Sequence, residues 1–352
     1  MRAGSRVAGL FACLAVILSG AAVSSDVSSA SAHRAANNDT TTRHVVFTIT
    51  SDQVTESSSL AVSTVHRGLV YTTNDSGDQA TVYVLDAATG DLVGRTSLAG
   101  VVALDVEALA IGTDGTLVVG DVGDNHGERD FVDLYRLRQP GRGEASVTPE
   151  AVRLTYPDGP RDAESLLYDA GTGRVFVASK RLAGAKVYRS PPGVFDRGRA
   201  RLTTGADAPA LATDATFLHG ERFAVIRTYF SAAVYRYPSW RRVTGFDLPP
   251  QPQGESLAAP PGGQALWIGS EGARSKVLQV ALPDLNAAPS APAASTDTRS
   301  TVITSVETTA VESPRREQWR SIARVVLATA GVALLIVIGV GLALYRRRHT
   351  SA

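Results

Sequence analysis

Short, largely apolar runs recur in pairs along the middle of the chain, and a turn containing Gly separates the two runs of each pair. Runs of this length that flank a Gly turn are typical of β-hairpins. Five such pairs occur, at residues 60–71, 109–119, 166–177, 217–225 and 257–268. A repeat of this kind decides the fold class, and it predicts an all-β protein.

Each hairpin is followed by a third run with a shared Val-Tyr-Arg-like pattern. Its central positions are Tyr83, Tyr135, Tyr188, Tyr235 and Leu278, at intervals of 43 to 53 residues. Fourth strands fit residues 92–98, 151–156, 199–204 and 242–248. Four-stranded units at this spacing are typical of β-propeller blades.

The fifth copy has no fourth strand of its own, and a strand at residues 44–50 belongs to no copy. We expect this N-terminal strand to complete the last blade, because closure of the ring removes exposed strand edges. The pattern favours a propeller of five blades over residues 44–285, with six blades, one of them degenerate, as the alternative.

The N-terminus resembles a secretory signal peptide over residues 1–32, with Arg2 and Arg6 before an apolar run and Ala-Ser-Ala at its end. Lipidation of Cys13 is an alternative, but Cys13 lies in the middle of the apolar run. It is the only Cys, so cleavage would leave a mature chain without disulfides. Residues 33–43 would then form a linker.

Near the C-terminus, residues 325–345 carry no charge, and 21 residues are enough to cross a hydrocarbon core of about 30 Å. The predicted transmembrane helix is flanked by interfacial and stop-transfer residues, namely Trp319, Tyr345, Arg346, Arg347 and Arg348. Residues 286–313, rich in Ala, Pro, Ser and Thr, would form a stalk, and residues 346–352 a cytoplasmic tail. We therefore expect a single-pass type I protein in the cell membrane, with its propeller outside the cytoplasm and the lipid bilayer as a partner.

The composition argues against two classes of function, nucleic-acid binding and nucleophilic catalysis. The formal net charge is +1, which argues against a nucleic-acid partner. The folded region has few His and no Gly-x-Ser-x-Gly elbow, so nucleophilic catalysis has little support. The basic residues are mostly Arg, with Lys only at 180, 186 and 276, and this bias suggests a GC-rich bacterial genome.

Acidic residues recur at the start of each predicted innermost strand, which would line the central channel. They are Glu56, Glu107, Glu164, Asp214 and Glu255. Five carboxylates around one channel mouth would repel one another unless a cation or basic side chains lay among them. We therefore predict a metal site there, with Ca²⁺ or another divalent cation as the ion.

A second ring is predicted where the second strands end, and it would bind a ligand at the channel mouth. Its members are Asp75, Asp121, Lys180, Arg227 and Glu271. The oxygen-rich turns at 74–78 and 120–125 suit a hard cation such as Ca²⁺. Alternatively, Asp and Asn in such turns cap their own backbone, and acids beside inner strands tie adjacent blades together.

At these residues the chain resembles bacterial secreted β-propellers of an actinobacterial type, which include the domain described as esterase-like activity of phytase. It is more loosely similar to lactonase-type and NHL-type propellers. The resemblance rests on Asn74-Asp75-Ser76-Gly77, on Asp105-Val-Glu107-Ala-Leu, on residues 120–125, on Tyr156-Pro-Asp-Gly with Asp162-Ala-Glu164, and on Ser179-Lys180.

The resemblance implies a phytase-like mouth that holds Ca²⁺ and a phosphorylated substrate through Glu107, Glu164, Asp214, Glu255, Lys180 and Arg227. A lactonase-like site would instead hold one divalent ion that polarises an ester. Two functions stay open from the sequence. The first is a binding module for an extracellular protein or a small-molecule ligand, and the second is a metal-dependent esterase or phosphoesterase.

Overall fold

The computed structural model describes residues 44–75, 80–218, 220–262 and 265–285. The predicted signal peptide, linker, stalk, transmembrane helix and tail lie outside the described residues, as do Trp319, Tyr345 and Arg346 to Arg348. Within the described part, the one helix is a single 3₁₀ turn, Val194–Arg197, and no helix could cross a membrane.

The described chain forms five largely antiparallel sheets arranged as propeller blades, which confirms the predicted all-β fold and blade number. In chain order the strands are β1 (His44–Thr48), β2 (Ser57–Val62), β3 (Leu69–Asn74), β4 (Thr81–Asp86), β5 (Leu92–Leu98), β6 (Val106–Ile111), β7 (Thr116–Asp121), β8 (Val132–Arg138), β9 (Gly143–Val147), β10 (Glu150–Thr155), β11 (Ala163–Asp169), β12 (Arg174–Ser179), β13 (Lys186–Arg189), β14 (Arg199–Arg201), β15 (Thr203–Asp207), β16 (Ala212–Phe217), β17 (Phe223–Thr228), β18 (Ser231–Arg236), β19 (Arg241–Asp247), β20 (Gly254–Ala258), β21 (Ala265–Ser270) and β22 (Lys276–Ala281).

Blades 1 to 5 begin with the inner strands β2, β6, β11, β16 and β20. The fifth blade is completed by β1, which pairs antiparallel with β22 from His44 opposite Gln279 to Thr48 opposite Lys276. The N-terminal strand therefore closes the ring, as the repeat pattern predicts. This pairing covers the edge of β22, which would otherwise be left without a partner.

Two further strands join neighbouring blades, and the sequence pattern does not show them. Strand β9 leaves blade 2 and pairs in parallel with β5 of blade 1, and β14 pairs in parallel with β10 of blade 2. The predicted fourth strand at 199–204 is therefore wrong as a single strand. It splits at the buried Leu202, whose amide donates to the Thr155 carbonyl at 2.9 Å, and β15 is the fourth strand of blade 3.

The apolar core consists of five clusters, and each cluster joins two adjacent blades. Successive residues of a strand point to opposite faces, so one strand supplies two clusters. In β4, for example, Val82 and Val84 pack towards blade 2, whereas Tyr83 packs towards blade 5. The recurrent tyrosines are buried in these interfaces, which explains why the pattern repeats once per blade.

All five inner strands begin at the same face of the propeller, which we call the mouth face. Strand β1 starts, and β22 ends, at the opposite face, because His44 lies beside Gln279 and Thr48 beside Lys276. The described chain therefore enters and leaves the propeller away from the mouth face. The loops that connect the second and third strands of each blade lie at the mouth face.

Candidate functional site

A β-bulge lies near the start of every inner strand. In blades 1 to 4 the register shifts between Ser57 and Ser59, Val106 and Ala108, Ala163 and Ser165, and Ala212 and Asp214; in blade 5 it shifts between Gly254 and Leu257. The residue at the bulge is acidic in two of these strands, Glu107 and Glu164, and Glu255 lies within the bulge of blade 5. Bulges re-aim side chains and are common beside functional sites.

The strand register shows that the five acids of the first predicted ring do not occupy equivalent positions in their blades. Ser58 and Thr213 occupy the bulge positions of blades 1 and 4, so Glu56 and Asp214 are not level with the three glutamates. Glu56 precedes β2 and is exposed. The expectation of five equivalent carboxylates is therefore wrong, because a bulge adds one residue to each inner strand and sequence spacing alone cannot locate it.

Asp214 lies inside the propeller, with no exposed surface. Its carboxylate accepts hydrogen bonds from the Leu257 amide at 2.6 Å, the Ala215 amide at 2.8 Å and the Ser59 hydroxyl at 3.1 Å. These donors belong to blades 5, 4 and 1. Asp214 thus holds inner strands of different blades together. This is the role that the sequence analysis gives as the alternative to metal binding.

The second predicted ring is likewise divided by the register. Asp75, Lys180 and Glu271 share one position, since their amides donate to the carbonyls of Glu56, Asp162 and Gln253 at 3.0, 2.9 and 2.9 Å. Asp121 lies one residue earlier and Arg227 two residues earlier in their strands. The five residues are therefore not equivalent, although three of them meet at the mouth face.

Arg227 is fully buried, and its guanidinium donates to the Ser256 carbonyl at 2.8 Å and the Gly269 carbonyl at 3.1 Å. Burial lowers the pKa of Arg227 to about 10, although Asp214 and Glu255 act in the opposite direction. Its remaining donors bond the Thr228 carbonyl and the Gln251 side chain. Arg227 therefore forms part of the support beneath the mouth and does not present a charge to a ligand.

Asp121 is also buried, and it shapes the loop that precedes β6. Its carboxylate accepts from the amides of Leu104 and Asp105 at 3.0 and 2.9 Å and from Arg129 Nη1 at 2.8 Å. Arg129 also donates to the Gly123 carbonyl at 2.7 Å. These bonds hold the Asp105 backbone in place, so Asp121 acts on the mouth through Asp105.

The residues that do converge form what we call the acidic mouth: Asp75, Asp105, Glu107, Glu164, Lys180, Glu255 and Glu271. Asp75, Asp105 and Glu107 each offer a carboxylate oxygen, and these oxygens lie within 4.8 Å of one another. Glu107 and Glu164 are only 3% and 5% exposed. The single cation of the group, Lys180, forms an ion pair with Glu164 Oε1.

Two buried carboxylate oxygens of the acidic mouth, Asp105 Oδ1 and Glu164 Oε2, have no hydrogen-bond donor among the described residues. An unsatisfied buried acceptor is costly unless a cation, a proton or water meets it. Carboxylate oxygens are the ligands that Ca²⁺ prefers. The donor set therefore fits a hard divalent cation.

Burial and mutual repulsion raise the pKa values of these carboxyls. The pKa of Asp105 rises to about 7, chiefly through burial and then through Asp75 and Asp162. Burial and then Glu271 raise the pKa of Glu255 to about 7, and burial raises the pKa of Glu164 to about 8 in spite of Lys180. Glu107 shows the largest rise in pKa, from burial and then from Glu164 and Asp75.

The sequence pattern does not assign Asp105 to the metal site, although Asp105 belongs to the Asp105-Val-Glu107 motif. The Asp-x-Glu spacing shared by 105–107 and 162–164 is the signal that could have found it, because residues two apart lie on one face of a strand. Gly123 was also missed. A Cβ there would overlap Asp105 Oδ2 and come within 2.9 Å of Glu107 Cγ, so a side chain would displace both acids.

No family model matches the chain, and no curated protein matches it. Solved structures that are similar include the Dos1 propeller (15% identity, TM-score 0.35) and a hydrazine synthase from Kuenenia stuttgartiensis (14%, 0.37). A third is a mitotic checkpoint complex (12%, 0.36). The alignments cover 61%, 63% and 64% of this chain and 53%, 57% and 61% of the respective chains, so they span only part of those proteins. The five-bladed fold is established by the sheet order of this chain itself.

Proposed function

We propose that this chain is a membrane-anchored, extracytoplasmic binding module whose acidic mouth holds a divalent cation. The observation that carries the proposal is the convergence of Asp75, Asp105 and Glu107 beside two buried oxygens that lack donors. Each of these acids comes from a loop or strand end that the propeller brings to one face.

The excess of carboxyl groups over basic groups in the acidic mouth supports the binding of a cation that the chain itself does not supply. The acidic mouth contains six carboxyl groups and one ammonium group, and Lys180 is already paired with Glu164. Its pKa, which burial alone would lower, is raised by the Glu164 carboxylate, so Lys180 stays charged. The remaining carboxylates can ionise together only if another cation joins them. Ca²⁺ suits the site because it accepts several oxygen ligands in flexible geometry.

The proposed anchoring rests on the uncharged run at residues 325–345 and the basic residues after it. The last described residues follow β22, which ends at the face opposite the mouth. The proposed stalk would therefore begin on that opposite face. The same proposal includes a bacterial origin, which rests on the Arg-rich composition, and a relationship to phytase-related and NHL-type propellers, which rests on motifs such as Asp105-Val-Glu107 and Asp162-Ala-Glu164.

Thermal unfolding of the purified full-length chain in detergent tests the cation site. At about 100 times Kd, a ligand that binds only the folded state adds about 2.7 kcal/mol. For a domain of this size that raises Tm by roughly 5–10 °C. Ca²⁺ is expected to raise Tm relative to EDTA in the wild type, and the Asp105→Asn/Glu107→Gln variant is expected to lose this shift.

The same variant should be at least as stable as the wild type in EDTA, because it removes repulsion between acids. Glu144→Gln is a matched control, since Glu144 is an exposed acid on β9 that pairs with Arg95. An unchanged Tm with Ca²⁺, Mg²⁺ and Mn²⁺ alike would contradict the proposal. A screen of ester and phosphoester hydrolysis with and without these metals separates a binding module from a hydrolase.

A further inference from the structure

Large apolar side chains are exposed on the mouth face. Among the described residues, six such side chains are exposed, and four of them lie on loops of the mouth face: Val102, Leu104, Leu182 and Phe230, which are 86%, 61%, 79% and 71% exposed. Val102 and Leu104 precede β6, Leu182 lies between β12 and β13, and Phe230 lies between β17 and β18. Exposed apolar groups that cluster on one face mark interaction sites.

The opposite face is different. Its loops expose one large apolar residue among those described, Val65 in the turn between β2 and β3. The remaining exposed residue, Val45, lies on the outer strand β1. Most of the exposed apolar side chains therefore lie on the same face of the propeller as the acidic mouth.

The loop that carries Phe230 is a tight turn of two residues. The Thr228 hydroxyl accepts from the Ser231 amide at 3.1 Å and from the Phe230 amide at 3.3 Å, which holds the turn. Tyr229 turns towards the mouth and lies 5.3 Å from the Lys180 ammonium, measured to its ring centroid. The turn thus orients one aromatic ring inwards and presents the other, Phe230, to solvent.

Blade 3, which packs against blade 4, supplies a second exposed apolar group on the mouth face, Leu182. It follows Lys180 and Arg181, and Lys180 is neutralised by Glu164. On the blade 5 side, Gln253 donates to both Glu255 and Glu271, so these two carboxylates share one amide. Leu182, Tyr229 and Phe230, which we call the apolar arc, therefore lie on the side of the mouth where Glu255 and Glu271 form no ion pair with a described residue.

A metal ion alone accounts for the acids but not for the apolar arc. Nucleic acids and anionic lipid surfaces would be repelled by the carboxylates. A polypeptide with a basic side chain beside a large apolar one satisfies both features, because the ammonium or guanidinium group complements the acids and the apolar group covers Leu182 and Phe230.

We propose that the mouth face docks a polypeptide segment of a partner protein, with a Lys or Arg side chain directed to Glu255 and Glu271 and an adjacent large apolar side chain packed on Leu182 and Phe230. The proposal deepens the proposed binding function and rests on it. It assigns Asp75, Asp105 and Glu107 to the cation and the blade 3 to 5 side of the mouth to the polypeptide.

The test uses a displayed library of random peptides selected on the immobilised full-length chain in Ca²⁺. Enriched peptides are expected to carry Lys or Arg next to Phe, Leu, Trp or Met. A synthesised peptide from the selection should bind the Leu182→Ser/Phe230→Ser variant and the Glu255→Gln/Glu271→Gln variant at least tenfold more weakly. Val65→Ser, on the opposite face, should leave its Kd unchanged.

The docking proposal is overturned if nothing is enriched over the Leu182→Ser/Phe230→Ser variant, if the enriched peptides lack basic residues, or if both mouth variants bind normally. The Tm of each variant shows that it is folded, and the Ca²⁺-dependent shift of the Leu182→Ser/Phe230→Ser variant should match that of the wild type. A wild-type protein that shows the Ca²⁺ shift but selects no such peptide contradicts docking alone. Peptide binding without any Ca²⁺ shift contradicts the cation site alone.

Discussion

The Ser59 hydroxyl of blade 1 donates a hydrogen bond to the Asp214 carboxylate of blade 4, at 3.1 Å, although these blades are not neighbours in the ring. The same hydroxyl accepts from the Leu109 amide of blade 2 at 3.0 Å. Both side chains are fully buried. Polar groups thus join inner strands across the axis, beneath the acidic mouth, where a wider propeller would have an open channel.

Removal of this acid should destabilise the propeller. Asp214→Ala leaves the amides of Leu257 and Ala215 without their acceptor, and each buried unsatisfied group costs about 1–3 kcal/mol. We expect the free energy of unfolding in urea to fall by about 2–5 kcal/mol. Asp247→Ala, at an exposed acid on β19, is the control and should change it by less than about 0.5 kcal/mol. A normal stability combined with a lost Ca²⁺ shift would instead place Asp214 in the cation site.

The acidic mouth should make the metal-free protein less stable as the pH rises. Asp105 and Glu255 have pKa values of about 7 in the folded protein, against ordinary values of 3.8 and 4.5, and Glu164 has a pKa of about 8. Between the ordinary and raised values the folded state holds more protons than the unfolded state. The stability that these protons provide is therefore lost as the pH rises from about 4 through about 8.

We expect Tm in EDTA to fall between pH 5 and pH 8, and Ca²⁺ to reduce this fall because it stabilises the ionised carboxylates. Differential scanning calorimetry at constant ionic strength measures both curves. The Asp105→Asn/Glu107→Gln variant should show a flatter curve in EDTA. Identical curves for this variant and the wild type would show that these acids do not repel one another.

Gly123 should be needed for the cation site for a steric reason. Its added Cβ would overlap the Asp105 carboxylate, as described above, and would have to push it away from Glu107. We predict that Gly123→Ala weakens Ca²⁺ binding at least tenfold in isothermal titration calorimetry. Gly141→Ala is the matched control, because a Cβ at Gly141 meets no atom within 4 Å. Equal affinities for the two variants would exclude Asp105 as a ligand.

Lys180 should compete with the bound cation for the negative charge of the mouth. Lys180→Met removes the ammonium group and leaves Glu164 without its ion-pair partner. We expect Ca²⁺ affinity to rise several-fold and Tm in EDTA to fall more at pH 8 than at pH 5, where Glu164 can take a proton. Lys186→Met, at a half-exposed lysine paired with Asp207 in blade 3, is the control. An affinity that falls would mean that Lys180 supports the site.

The amino-acid sequence by itself determined the all-β class, the five repeats and the closing role of the N-terminal strand. These features follow from apolar runs and Gly turns, which depend on local conformation and on burial of both faces of a strand. The recurrent Tyr positions identified the third strand of each blade because the interfaces between blades need the same kind of side chain. The Asp-x-Glu spacing at 105–107 was likewise visible.

Only the tertiary structure decided which acids meet. The strand register places Asp214 in the interior and leaves Glu56 exposed before β2, and the packing of blades 1 and 2 brings Asp105, Asp75 and Glu107 together. The parallel strands β9 and β14 also escaped detection, because they are short and largely polar and form by pairing with the edge of another blade. Strand register depends on contacts between distant segments, and linear spacing does not contain that information.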